Sequence, residues 1–77
     1  MTGLPLAFVP AGRKVTVSEV RAGPGMFRRL SSMGLHPSSL VEVVCADRGS
    51  LIVAVAGCRY ALSRGMALKV LVQEEGA

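Results

Sequence analysis

Tryptophan is absent from the 77-residue chain, tyrosine occurs once, phenylalanine twice and histidine once. Base-stacking surfaces interleave aromatic rings with basic side chains, so this thin aromatic supply argues against nucleic-acid recognition. Acidic residues number five, and Glu74 and Glu75 stand in the polar C-terminal stretch. The other three, Glu19, Glu42 and Asp47, fall in strand or turn segments with no motif around them. General acid–base and nucleophilic catalysis therefore have no constellation to work from, and the chain reads as non-enzymatic. Cys45 and Cys58 are too few and too widely spaced for a CxxC knuckle or a disulfide framework. With His36 and Asp47 they match no metal-ligand spacing, so the cysteines read as reduced residues in core or near-core positions and His36 as exposed. No metal or other cofactor is expected. Glycine loops for phosphate are also missing, because Gly23-Pro24-Gly25 has neither the GxxxxGK[ST] pattern nor the length of a GxGxxG unit. The longest apolar run, residues 51–58, falls short of the roughly 20 residues that a membrane-spanning helix needs. Residues 1–11 carry no charged side chain ahead of their apolar residues, unlike a secretory signal. The expected location is the cytoplasm.

What is present is apolar: 51% of residues are hydrophobic and 18% charged, far from the composition of disordered chains. A single domain over residues 1–77 is expected, since a chain this short supports one core. One segment has helical periodicity: Met26, Leu30 and Met33 recur at i, i+4 and i+7 over residues 26–33, with Phe27 beside them. Gly34 supplies a left-handed C-terminal cap, Pro37 prevents resumption, and Pro24 suits a first helical turn. The remainder reads as strands over 14–20, 40–46, 51–56, 59–62 and 67–72, with turns at 10–12, 47–50, Gly57 and 63–65. Val15 and Val17 share one face of their strand, and Val41, Val43 and Cys45 one face of the next, opposite Leu40 and Val44. Residues 73–77 read as a flexible polar tail. The fold class is mainly β: a small SH3-like barrel of five or so strands, with one short α-helix inserted after the first. Closure would remove exposed sheet edges.

The net charge of +4 attracts anionic partners, whether nucleic acid, phospholipid headgroups or an acidic protein. Arg28 and Arg29 lie on the helix away from its apolar stripe, whereas Arg48, Arg59 and Arg64 fall at turns or strand ends. A solvated surface accounts for these charges as readily as a binding face does.

Residues 27–37, Phe-Arg-Arg-Leu-Ser-Ser-Met-Gly-Leu-His-Pro, resemble the hallmark of the FeoA family, a leucine followed by Met-Gly-Leu-x-Pro. Gly57-Cys58-Arg59-Tyr60-Ala61-Leu62 is similar to the family's Gly-x-x-(Tyr/Phe/Ile)-Ala-Leu strand. Pro10-Ala11-Gly12 resembles its opening turn and residues 67–72 its closing strand, so the likeness covers nearly the whole chain. It departs at Ser38, where the family commonly has glycine, leaving the turn type open, and at Gly65-Met66, where charged residues are commoner.

The resemblance implies an SH3-like barrel that assists FeoB, the membrane GTPase and ferrous-iron permease, by binding its cytosolic part. The same fold forms a C-terminal domain of iron-dependent repressors, but this chain lacks their DNA-binding portion. Leu30, Met33, Gly34, Leu35, Pro37, Gly57 and Leu62 are then structural, and Phe27, Arg28, Arg29 and His36 are the expected partner contacts. Nucleic acid is not an expected partner, membrane association would run through FeoB alone, and the apolar composition is compatible with a homodimer. Two other readings compete: a stand-alone module binding nucleic acid or another anion, and a metal chaperone using Cys45, Cys58 and His36.

Overall fold

A computed structural model describes residues 3–74 of the chain. Its strands are β1 (Leu4–Pro5), β2 (Lys14–Val20), β3 (Leu40–Ala46), β4 (Ser50–Val55), β5 (Cys58–Ser63) and β6 (Val70–Glu74). Helix α1 (Pro24–Ser32) follows β2, helix α2 (Arg64–Ala67) separates β5 from β6, and Leu6–Phe8 make one 3-10 turn. The strands form one antiparallel sheet in the order β1-β6-β2-β3-β4-β5. No helix among the described residues is long and apolar enough to cross a membrane.

Alternation sets the core. Val15 and Val17 from β2, Val41 and Val43 from β3, and Leu51, Val53 and Val55 from β4 all point inward. Leu62, Val70 and Val72 complete the sheet's contribution, and Leu30 and Leu35 close the core from the helical side with no exposed area. Full burial of each such aliphatic side chain contributes about 1.5–3 kcal/mol. Among the described residues, none of the buried ones is polar or charged. Bulges between Val17 and Glu19 and between Val43 and Cys45 bend β2 and β3, the device by which a short sheet wraps around its own interior.

The second bulge corrects one expectation. Cys45 does not share the buried face of Val41 and Val43: past the register shift it pairs with the exposed Ile52 and is itself exposed. Cys58, also expected near the core, is exposed where β5 leaves its turn on the outermost strand of the sheet. Residues 67–72 are not all strand either. Ser63 accepts a hydrogen bond at its Oγ from the Met66 amide (3.2 Å) and so caps α2, and β6 begins only at Val70. At the other end, Gln73 and Glu74 belong to β6 rather than to a tail, while residues 75–77 lie outside the described residues.

No ladder joins the two edge strands among the described residues, so pairing does not complete the barrel. Helix α2 bridges the seam instead, packing against β4, β5 and the 3-10 turn that follows β1. The β1 edge is blunted by its two-residue length and by Pro5, which has no N–H to offer a further strand.

Candidate interaction surface

Helix α1 begins at Pro24, two residues before its apolar repeat, because proline at the first position has the right φ and no amide to leave unbonded. No side chain caps this end; the Phe27 amide donates to the Gly23 carbonyl at 2.8 Å. Leu30 is buried while Met26 and Met33 pack partly against the core, which fixes the helix's inward side. At 3.6 residues per turn Arg28 then faces away from the core, with Phe27 and Arg29 on the flanks. All three are exposed, Phe27 to 41%.

The far end is locked by a double hydrogen bond. The Gly34 amide donates to the Ser31 carbonyl and the Leu35 amide to the Leu30 carbonyl, both at 2.9 Å, with Gly34 at φ +90°. This is a Schellman motif, and its apolar clasp is the buried pair Leu30 and Leu35. A second tight turn follows at once. The Ser39 amide donates to the His36 carbonyl at 3.0 Å around Pro37 and Ser38, and Ser38 takes φ +80°. These features define a type II turn with serine at the position that normally takes glycine, so the glycine-like conformation survives the departure in sequence. Ser38 and Ser39 tie the turn to β2 through bonds to Val17 O and from Val17 N–H, both 2.8 Å.

His36 is exposed, and its Nδ1 lies 3.1 Å from Ser39 Oγ, whose hydroxyl also lies 2.6 Å from the Gly34 carbonyl. It lines a groove of about 400 Å³ with Gly34, Ser39, Leu40, Val55 and Ala56. A neighbouring groove of about 310 Å³ is lined by Lys14, Leu40, Glu42, Ala54, Ala56 and Gly57. Leu40, 54% exposed, stands between the two and faces Ala56 of the β4–β5 turn. That turn is type I′, with Ala56 at φ +52° and Gly57 at +82°.

The expected contact residues thus divide. Phe27, Arg28 and Arg29 stand together on α1, whereas His36 lines the first of the two grooves flanking Leu40, neither of which an α1 residue lines. Leu40 was missed as a contact candidate, although its signal was available: a large apolar residue at an outward strand position. Of the nine basic residues, Arg13 pairs with Glu74 (2.8 Å) and Arg21 with Glu19 (3.1 Å). The other seven, Arg28 and Arg29 included, make no ion pair among the described residues. Likewise, no three side chains of the metal-ligating kinds converge among the described residues. Cys45 and Cys58 sit on strands either side of β4.

The fold is thus a small SH3-like barrel whose exposed features are turns, a helix face and two shallow grooves. The FeoA domain model matches residues 4–74, and the chain belongs to the FeoA family. A candidate Fe(2+) transport protein A of Methanocaldococcus jannaschii is 37% identical over 70 residues, covering 91% of this chain and 85% of that one. Among solved structures, an iron uptake regulatory protein (FeoA) superposes with a TM-score of 0.89 at 31% identity, covering 96% of this chain and 99% of that one. Stenotrophomonas maltophilia FeoA complexed with zinc, described as an SH3 domain protein, gives 0.79 at 28% identity over 95% of this chain and 89% of its own. The chain is accordingly a non-enzymatic accessory protein of ferrous-iron transport.

Proposed function

We propose that the chain works in the cytoplasm by binding the cytosolic GTPase part of an FeoB-type permease, with α1 as the principal contact. The observation carrying this reading is the outward side of α1. Phe27 is 41% exposed beside Arg28 and Arg29, which make no ion pair among the described residues, on a helix whose end is fixed by two hydrogen bonds and a buried leucine pair. Aromatic and arginine side chains are enriched at interface cores and hot spots, the ring bringing large contact area and the guanidinium several hydrogen-bond donors. The unpaired cations favour an acidic partner surface and speed encounter with it. Nothing specific favours the nucleic-acid reading, since the exposed rings, Phe8 and Phe27, stand on different elements and form no shared stacking surface.

Isothermal titration of the full chain into the permease's cytosolic domain tests this, in the nucleotide-free, GDP-bound and GTP-analogue-bound states. Saturable binding in at least one state is expected. Absence of heat and of co-elution in all three overturns the reading.

A further inference from the structure

A second exposed surface lies at the seam of the barrel, made by elements that the transporter reading does not use. Phe8, at the end of the 3-10 turn, is 57% exposed, and Leu68, which caps α2, is 43% exposed. Arg64 links them. Its guanidinium lies 5.8 Å from the centre of the Phe8 ring. The Leu68 amide donates to the Arg64 carbonyl at 2.9 Å, so the two residues, four apart, share one helical face.

Further cations gather there. The Arg64 amide donates to the Gly49 carbonyl at 3.1 Å, which brings the turn carrying Arg48 alongside, and the Arg21 amide donates to the Lys69 carbonyl at 2.8 Å. Two carboxylates stand near: Asp47, whose Oδ1 accepts the Arg48 amide at 2.8 Å, and Glu19, paired with Arg21 at 3.1 Å. Arg21, Arg48, Arg64 and Lys69 set against these two leave the surface positive.

We propose that this surface seats the protein directly on an anionic bilayer. Phe8 and Leu68 enter the boundary between headgroups and acyl chains, and Arg48, Arg64 and Lys69 meet the lipid phosphates. Charge complementarity selects this occupant, since each cation near an anionic leaflet strengthens partitioning by about fivefold. Two apolar side chains separated by a guanidinium also suit a fluid interface better than a protein, whose hot spots need a contiguous, water-excluding apolar centre. Arg64 can lie along Phe8 and still raise its head to a phosphate. The proposal goes beyond partner-mediated membrane association and does not rest on the contact assigned to α1.

Co-flotation of the full chain with vesicles tests it, comparing mixed phosphatidylcholine and phosphatidylglycerol with phosphatidylcholine alone. Binding is expected only with the anionic lipid, weakening as salt rises. Arg64→Gln with Lys69→Gln should reduce partitioning about 25-fold, and Phe8→Ser with Leu68→Ser should reduce it at every salt concentration. Arg28→Gln with Arg29→Gln removes as much charge elsewhere and should lower binding far less. Should either seam pair lose its folded circular-dichroism spectrum, the single exposed changes Leu68→Ser and Lys69→Gln carry the comparison. Equal flotation with both lipids, or an equal loss from the α1 pair, overturns the proposal. So does light scattering that shows a dimer abolished by Leu68→Ser in a chain that ignores vesicles, which would assign the surface to a second copy.

Discussion

Leu30 and Leu35 are joined by a backbone hydrogen bond of 2.9 Å, and both side chains are wholly buried. The residue that makes this geometry reachable is Gly34, whose φ of +90° reverses the chain between them. A methyl group there would strain the backbone and stand 3.0 Å from Val55 Cγ1. Gly34→Ala should therefore destabilise by about 1–2 kcal/mol, a large share of the total for so small a domain. Urea denaturation reads this out, and a midpoint equal to the parent's would refute the assigned cap.

Ser38 offers the opposite change. It holds φ +80° in a turn that favours glycine, and its side chain makes no compensating hydrogen bond among the described residues. Ser38→Gly should stabilise by about 0.5 kcal/mol, the relief of strain exceeding the entropy that glycine adds to the unfolded chain. A higher melting temperature is expected; a lower one would mean that the hydroxyl matters in a way the geometry does not reveal.

Arg28 points away from the core and has no ion-pair partner among the described residues. Arg28→Ala should leave stability within about 0.5 kcal/mol of the parent while slowing association with the permease's cytosolic domain, most visibly at low salt. Phe27→Ala should act mainly on dissociation, because it removes buried contact rather than steering charge. Stopped-flow binding separates the two effects, and parental rates for both variants would move the contact off α1.

Tyr60 titrates above the ordinary phenol range, chiefly because the negative charge of Cys58 two residues away opposes phenolate formation, with partial burial and a hydrogen bond to Cys58 adding to it. Since the folded value is raised, any stability from this group is complete below the unfolded pKa and lost as pH rises through the folded one. The chain has one tyrosine and no tryptophan, so the phenolate band reports this residue alone. Cys58→Ala should move the titration down toward the ordinary value, and an unmoved curve would refute the coupling.

The strands and helix were legible because they rest on local rules. Alternating valines marked β2 and β3 with their observed bounds, and Gly34 and Pro37 marked the end of α1. The Leu-x-x-Met-Gly-Leu-x-Pro pattern declared the family, since its spacing encodes one cap and one turn. Only the tertiary structure decided where Cys45 and Cys58 point, because a bulge in one strand and an edge position in another cancel what alternation predicts. It also decided that Leu40 stands between two grooves and that Arg64 meets Phe8 across the seam. These contacts join residues distant in sequence, and nothing in a local pattern specifies which outward faces a closing sheet brings side by side.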